Sequence, residues 1–242
     1  MKILAVETST DACSAALLID GEIQEKFAVR PKEHTKLILP MVDQLMAEAQ
    51  LLPQQLDAIA FSRGPGSFTG VRIAGSVVQG IAFGADLPVA PVSTLAAIAQ
   101  DFFNTRPQAE VAFTAMDARM NQIFWAMHQK NTLGLAELIG EETVTDANDI
   151  VFSDRYGYGI GSGWGVYQAQ LLHRLADRVL GIEIEVWPRA STVAQLGAYC
   201  YSQGLLVNVE QAMPVYLRDK VAKTQSERNA EKASELNGTN VS

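Results

Sequence analysis

The 242-residue sequence is poor in the residues that build disulfides, metal centres and basic surfaces. It has two cysteines and three histidines, and Cys13 and Cys200 lie far apart and outside any C-x-x-C spacing. This cysteine usage argues against a disulfide framework and indicates a reducing compartment. The formal net charge is -8. A chain with that balance lacks the basic face that independent nucleic-acid binding requires.

Long hydrophobic runs are also missing from the sequence. Glu7 interrupts the apolar start, which is therefore too short for a signal peptide. No stretch reaches the roughly 18 apolar residues of a membrane span. The hydrophobic content of 48% and the charged content of 19% are those of a globular protein with one large domain or two small ones. We therefore expect a cytoplasmic protein that makes no membrane contact.

The sequence lacks the patterns of hydrolases and metalloenzymes as well. No G-x-S-x-G occurs, since Gly66-Ser67-Phe68 is followed by Thr69, and there is no H-x-x-x-H. His34, His128 and His173 stand apart from one another. We therefore expect neither a catalytic triad nor an intrinsic metal site.

Apolar runs separated by turn residues predict the order β-β-β-α-β-α-β-α for the first half. Strands are expected over 3–7, 13–19, 23–29, 56–62 and 87–92, and helices over about 34–50, 68–83 and 94–103. Asp20-Gly21 is a strong hairpin signal between the second and third strands.

The second half begins with the same pattern of apolar strand, acid, short turn and second strand. A shift of 110 residues places Glu7 on Asp117 and Asp11 on Asn121, which predicts an internal duplication. Strands are expected over 111–117, 123–128 and about 133–144, helices over 146–150, about 167–180 and 191–203, and an extended segment over 213–218. The polar stretch 219–242 predicts a flexible tail, so the chain divides into 1–105, 106–218 and 219–242.

The two helices expected over 34–50 and 68–83 carry an unusual amount of apolar surface. In the first, the apolar stripe is wider than one core face needs, which fits either deep packing or a second face on another subunit. In the second, Arg72 is the only charged residue, and glycines recur at 70, 75, 80 and 84. Each mid-helix glycine costs about 1 kcal/mol relative to alanine, so their number implies close approach of other backbone or another role for that surface.

Two glycine-rich loops leave open a phosphate site. The turn Gly64-Pro65-Gly66-Ser67 precedes a helix and supplies backbone N–H groups at a positive dipole end. It matches neither G-x-x-x-x-G-K-[ST] nor G-x-G-x-x-G, and the loop over 159–165 is similar in kind. Both loops are more often tight turns than nucleotide sites.

Acidic side chains near these loops are candidates for a cleft between the two halves. Glu7, Asp11 and Asp117 could act there as an acid, a metal anchor and a water-positioning group, although glutamate at position 7 weakens a strict geometric role. The candidate residues of vestigial phosphate or nucleotide loops are Glu7, Thr8, Ser9, Gly64, Gly66, Ser67 and Asp117.

Five motifs carry a family resemblance. The runs ILAVETSTDACS from Ile3, GPGSFTGVRI from Gly64, PVSTL from Pro91, DAR from Asp117 and PVYLR from Pro214 resemble those of the bacterial TsaB family, also called YeaZ. The likeness extends from the first residue to about position 218. It implies an α/β fold of the actin/hexokinase-like (ASKHA) type, with two related subdomains of mixed sheets flanked by helices.

The resemblance also implies a role in tRNA modification. Such proteins serve as accessory subunits in making N6-threonylcarbamoyladenosine next to the anticodon of ANN-decoding tRNAs. The expected partners are a TsaD-type catalytic subunit, which carries the metal, and a TsaE-type ATPase subunit. Transfer RNA would be reached only through the complex, and the isolated chain would self-associate as a homodimer. No intrinsic cofactor is expected, and a nucleotide at the partner junction stays open.

A non-catalytic role follows from one departure from the catalytic relatives. In those relatives the matching segment reads Pro-x-His-His-x-x-x-His, whereas here Thr94 and Ile98 stand where the two metal histidines would be. A hydroxyl and an aliphatic group do not replace two imidazoles on a metal. Glu7 is a second departure, because many members have aspartate there.

The resemblance further implies that the helix pair over 34–50 and 67–84 packs against its counterpart in the partner. The predicted interface residues are Leu37, Ile38, Met41, Leu45, Phe68, Val71, Arg72, Gly75, Val78, Gln79 and Ala82. The alternative is an ATP-dependent phosphotransferase or ATPase of the same fold that uses the loops at 64–67 and 159–165. A hydrolase of glycoproteins is disfavoured, because triad and metal ligands are missing.

Overall fold

The computed structural model describes residues 1–218, which form two five-stranded mixed sheets flanked by helices. The predicted tail over 219–242 lies outside the described residues. The first sheet and its helices comprise β1 (Lys2–Glu7), β2 (Ala12–Ile19), β3 (Glu22–Val29), α1 (His34–Glu48), β4 (Ala58–Gly64), α2 (Phe68–Ala85), β5 (Val89–Ser93) and α3 (Thr94–Thr105). The remaining elements are β6 (Val111–Arg119), β7 (Gln122–Lys130), β8 (Ala136–Thr145), β9 (Gly157–Ile160), α4 (Ser162–Leu175), β10 (Val179–Glu183) and α5 (Ala190–Ser202).

The two sheets repeat one topology. Their orders are β3-β2-β1-β4-β5 and β8-β7-β6-β9-β10, each with an antiparallel meander followed by two parallel strands. The duplication and the actin/hexokinase-like fold are therefore confirmed. β1, at the centre of its sheet, is buried almost throughout, as expected for a strand covered on both faces.

The duplication is incomplete at α1, because the described chain between β8 and β9 contains no helix. The helix predicted over 146–150 is therefore wrong. Asp149 N donates to Asp146 O (3.0 Å), and Asn148 N donates to Asp146 Oδ1 (2.8 Å). An aspartate that bonds the backbone two residues ahead favours a turn over a helix.

The bounds of the last two helices also differ from the prediction. α4 begins at Ser162 and ends at Leu175, and the chain from Val179 forms β10 instead of a further helical turn. Glycines in the first turn of α4 are typical of a loop, so the sequence pattern predicts a loop there. The short apolar run of β10 is compatible with a helix as well as with a strand. α5 extends from Ala190 to Ser202, one residue earlier at each end than the predicted 191–203.

Each face of the first sheet has its own helical cover. α1 and α2 pack on one face, where the core includes Leu4, Val6, Leu17, Ile38 and Phe61. α5 lies on the other face, and at Gly197 a Cβ would come within 2.5 Å of the Ala60 Cβ. The last helix of the second half therefore completes the core of the first half.

The domain limits at 105/106 and 218 stay a prediction. Among residues 1–218, no helix combines the length and apolar character needed to cross a membrane.

Candidate functional site

The structure places the predicted interface residues in three different environments. Six of them are buried in this chain's own core, so they have almost no surface to offer a partner in this conformation. This corrects the prediction for Ile38, Leu45, Val71, Gly75, Val78 and Ala82. They face inward because the apolar side of each helix is what covers the sheet.

A second group contacts the chain's own C-terminal segment, residues 212–218, which we call the strap. Gln79 Nε2 donates to Ala212 O (3.0 Å), and Arg72 Nε donates to Tyr216 Oη (2.9 Å). The Arg72 guanidinium also lies 3.6 Å from the centre of the Phe68 ring. Arg72 and Gln79 therefore hold the strap against α2, a role that sequence reasoning missed.

The remaining side of these helices forms an apolar surface that nothing in the described chain covers. It consists of Leu37 and Met41 of α1 and one stripe of α2. Leu37 and Met41 are half-buried, as are three α2 residues, whereas Phe83 is 78% exposed. A Cβ at Gly80 or Gly84 would meet no atom within 4 Å. We call this the outer face, made of Leu37, Met41, Ile73, Ser76, Val77, Gly80, Ile81, Phe83 and Gly84.

A cleft of about 500 Å³ separates the two halves. Its floor comes from the β1–β2 turn, the start of α2, the end of β6 and the start of α4. The predicted residues Ser9, Asp11, Gly66, Ser67 and Asp117 line it. The structure brings these residues together, although they are up to 108 positions apart in sequence (Asp117 against Ser9).

The glycine-rich turn before α2 packs tightly against the β1–β2 turn. Ser67 N donates to Ser9 O (2.7 Å), and Thr8 Oγ1 donates to Gly70 O (2.8 Å). A Cβ at Gly66 would overlap the Ser9 carbonyl, and one at Gly70 would overlap the Thr8 carbonyl. These glycines are therefore explained by close approach of backbone, without a phosphate.

The second loop repeats this arrangement. Asp117 N donates to Ser162 Oγ (3.2 Å), and a Cβ at Gly163 would lie 2.9 Å from the Ala115 Cβ. Asp117 itself is held by Arg119, whose backbone N–H donates to Oδ1 (2.8 Å) and whose guanidinium pairs with Oδ2 (3.0 Å).

Glu7 does not face the cleft, which corrects its expected place beside Asp11 and Asp117. Its side chain is fully buried, and Oε1 accepts hydrogen bonds from the N–H (2.5 Å) and the hydroxyl (2.6 Å) of Ser9. Oε2 has no hydrogen-bond partner within the described residues. Burial raises the pKa of this carboxyl group from about 4.5 to about 7, against the lowering effect of the Ser9 hydrogen bonds.

Thr94 and Ile98, the two residues expected at the places of metal histidines, lie in the same region. Thr94 is buried and donates to Ser9 Oγ (3.2 Å), while Ile98 lines the cleft. Among residues 1–218, no group of three or more His, Cys, Asp and Glu side chains is placed to hold a metal ion.

The walls of the cleft were not foreseen from the sequence. They include Met116, Phe124 and Trp187, together with Tyr216 and Arg218 of the strap. No local periodicity marks these residues, because they meet only after the two halves and the C-terminal segment come together.

Comparisons with known proteins agree on one family. A family model described as TsaD, tRNA N6-adenosine threonylcarbamoyltransferase, matches residues 27–157. The tRNA threonylcarbamoyladenosine biosynthesis protein TsaB of Escherichia coli (strain K12) is 37% identical over 228 residues, which cover 92% of this chain and 96% of that protein. The protein of the same name from Haemophilus influenzae is 37% identical over 91% of this chain and 95% of its own length.

A solved structure supports the same assignment. YeaZ from Pseudomonas aeruginosa superposes with a TM-score of 0.82 at 39% identity, covering 89% of this chain and 99% of that one. The identity and the nearly complete coverage of both chains show more than a shared fold. The chain therefore belongs to the TsaB (YeaZ) family, whose members are named for the biosynthesis of tRNA threonylcarbamoyladenosine.

Proposed function

We propose that this chain is a non-catalytic accessory subunit in the synthesis of threonylcarbamoyladenosine on tRNA, and that it binds and activates a TsaD-type catalytic subunit through its outer face. The observation that carries the proposal is the uncovered apolar stripe of α2, in which two glycines leave room that no atom of the chain fills. Exposed glycines inside a helix destabilise it, so this open room favours close packing by another helix.

The size and character of this surface fit a protein partner. Phe83 is 78% exposed at one end of the stripe, and five half-buried apolar side chains adjoin it. An apolar patch on two neighbouring helices marks an interaction site more often than a chance exposure. The same surface would serve for self-association as a homodimer when the partner is missing.

The other partners belong to the same proposal. A TsaE-type ATPase subunit would join the assembly, and tRNA would be held mainly by the partners, since this chain carries a net charge of -8. The residue types at Thr94 and Ile98 support a catalytic centre in the partner and not in this chain. The tRNA modification would take place in the cytoplasm.

Charge placed on the outer face tests the interface. Phe83→Asp should weaken association with the TsaD-type subunit at least about tenfold, because an unpaired carboxylate would be buried in an apolar contact. Val151→Asp is the matched control, since Val151 is 81% exposed and belongs to the segment between β8 and β9 of the second half. Size-exclusion chromatography and calorimetry of the two-subunit mixture measure the effect. Val78→Asp is unsuitable, because Val78 is fully buried and the variant would disrupt the fold.

Gly80→Gln fills the open room on the outer face with a longer side chain and is a second test variant. Wild-type affinity in both Phe83→Asp and Gly80→Gln would contradict the proposed interface. Activation is tested separately, by reconstituting the tRNA modification with and without this chain. Full activity of the remaining subunits alone would contradict the accessory role.

The alternative of an ATP-dependent phosphotransferase has weaker support. The N–H groups that a phosphate would need at Ser9, Ser67 and Gly70 already donate to the Glu7 carboxylate, the Ser9 carbonyl and the Ser67 hydroxyl. Sustained ATP hydrolysis by the isolated chain, abolished by Asp117→Asn, would favour that alternative.

A further inference from the structure

The cleft between the two halves has the size of a small-molecule site. Its volume of about 500 Å³ lies within the range of pockets that enclose a ligand of roughly drug size. The walls come from both halves and from the strap. The outer face does not contribute to it, so the proposed partner surface and the cleft are separate features.

The floor of the cleft is poorly suited to phosphate groups. At the β1–β2 turn and the start of α2, the N–H groups of Ser9, Ser67 and Gly70 donate within the chain. In the second half, Asp117 N donates to Ser162 Oγ and Gly161 N donates to Glu183 O (3.0 Å). Backbone donors that are already satisfied offer nothing to an anion.

The charges on the lining residues point in the same direction. The charged lining residues are Asp11, Asp117, Arg119 and Arg218, so the lining carries no net positive charge to attract a phosphate. Arg119 is paired with Asp117, and Arg218 donates to Ala118 O (3.1 Å) and Gln122 Oε1 (2.7 Å). The two positive groups near the floor are therefore engaged with this chain's own oxygens.

The walls, in contrast, suit a flat apolar ring. Met116, Phe124 and Trp187 contribute to them, as do Phe68 and Tyr216, whose ring centroids are 5.8 Å apart. Aromatic and thioether side chains bind planar rings through stacking and edge contacts. The hydroxyls of Ser67 and Ser162 and the Asp11 carboxylate add polar groups for a ligand that also carries hydroxyls or N–H donors.

We propose that the cleft binds an uncharged nucleoside and rejects its phosphorylated forms. The aromatic walls hold the base, and the serine hydroxyls and Asp11 bond the sugar and the polar edge of the base. The occupied backbone donors and the lack of a net positive charge on the lining disfavour phosphates. This proposal does not depend on the accessory role, because it concerns a different surface.

Trp187 supplies a direct readout of binding. Of the three tryptophans, Trp125 and Trp164 are 2% and 0% exposed, whereas Trp187 lines the cleft. Adenosine, guanosine, cytidine and uridine would each be titrated into the purified full-length chain while tryptophan emission is recorded. At least one should cause saturable quenching in the millimolar range or below, and the matching triphosphate should bind at least about tenfold more weakly. The quenching should disappear in Trp187→Phe.

A pair of variants on the same side of the cleft locates the site. Ile184 lines the cleft at 47% exposure, and Leu180 is 57% exposed without lining it. Ile184→Glu should weaken nucleoside binding roughly tenfold by placing a charge beside the apolar ring, while Leu180→Glu should bind like the wild type. Val166→Glu, also on the cleft wall, is a second blocking variant in case Ile184→Glu unfolds; circular dichroism checks the fold of each.

Three results would overturn the proposal. The first is no saturable quenching by any of the four nucleosides, and the second is tighter binding of the triphosphate than of the nucleoside. The third is unchanged affinity in folded Ile184→Glu and Val166→Glu. None of these outcomes bears on complex formation by Phe83→Asp, so failure of this proposal and failure of the accessory role are distinguishable.

Discussion

The carboxyl group of Glu7 lies beneath the β1–β2 turn, where Ser9 supplies two hydrogen bonds to one oxygen and the other oxygen has no partner within the described residues. Burial, together with the negative charge of Glu7, raises the pKa of the Cys13 thiol to about 11. Glu7 thus holds the turn that shapes the cleft floor, although it does not line the cleft. Its longer side chain is accommodated by the Ser9 contacts, which fold the carboxylate back toward the backbone.

The buried carboxyl group of Glu7 predicts a specific pH dependence of stability. Its pKa is about 7 in the folded chain against about 4.5 in the absence of burial, so between these values the folded state binds more protons than the unfolded state. The contribution of Glu7 to the free energy of unfolding should therefore fall as the pH rises from about 5 to 8, by about 3 kcal/mol at most. Glu7→Gln keeps an oxygen acceptor for Ser9 and should lose this part of the dependence. Urea unfolding of both proteins at the two pH values measures it.

Asp101 and His128 are confounding groups in that experiment. Burial raises the pKa of Asp101 to about 6, which adds to the fall. Burial lowers the pKa of His128 to about 3, so its contribution to stability rises with pH over part of the same range, equally in both proteins. Asp101→Asn in both backgrounds removes its contribution, so the remaining difference belongs to Glu7. An equal slope for the wild type and Glu7→Gln would show that Glu7 ionises freely in the folded state.

Single residues were predictable from the sequence only where their contacts are local. The Ser93 hydroxyl caps α3 by accepting from Leu95 N and Ala96 N, contacts that span only two and three positions. The partners of Arg72 were not foreseen, because Tyr216 lies 144 positions away and no periodic pattern records that contact. The burial of Glu7 was missed as well, since burial of a carboxylate depends on tertiary packing that no local pattern records.

The glycines of α2 divide into two kinds, and this division predicts opposite effects of alanine. Gly70→Ala should destabilise the fold by about 1–3 kcal/mol, because the new Cβ would overlap the Thr8 carbonyl. Gly80→Ala should stabilise the isolated chain by up to about 1 kcal/mol, because the site is open and alanine favours the helix. Thermal and urea unfolding of the two variants would be compared with the wild type.

The Gly80→Ala variant also separates chain stability from partner binding. If another helix packs closely at Gly80, the same methyl group that stabilises the monomer should weaken the complex. Stabilisation by Gly70→Ala would contradict the packing of the glycine-rich turn.

Elements with a strong local signal were predicted well, and those at the edge of the second sheet were not. The meanders, α1, α2 and α3 follow clear periodicities with Asp20-Gly21 or Ser93 at their ends. α4 was placed too late and β10 was missed, because glycines in a first helical turn imitate a loop. The helical pattern of α1 and α2 predicted both helices. The interface prediction, however, included apolar residues on the face of each helix that covers the sheet.

At the scale of the whole molecule, contacts across the two halves are numerous. α5 packs on β1, β2 and β4 of the first sheet, and Leu135 of the second half joins the core that α5 forms there. Glu142 of β8 pairs with Arg63 (3.5 Å) and bonds the Ser93 hydroxyl. The duplication was visible in the sequence, since it repeats a local pattern. The packing of second-half elements on the first half was not visible in the sequence, because it depends on long-range contacts alone.

These contacts predict that the two halves unfold together. All three tryptophans lie in the second half, at positions 125, 164 and 187, so their emission reports that half. Cys13 lies buried in β2, so its reactivity toward a thiol reagent reports opening of the first half. The two probes should give one transition with the same urea midpoint, because α5 cannot leave the first sheet without exposing apolar surface from both halves. Cys200→Ser removes the other thiol. Two separate midpoints would instead support independent domains meeting near residue 105, and would mean that the packing of α5 contributes little to holding the halves together.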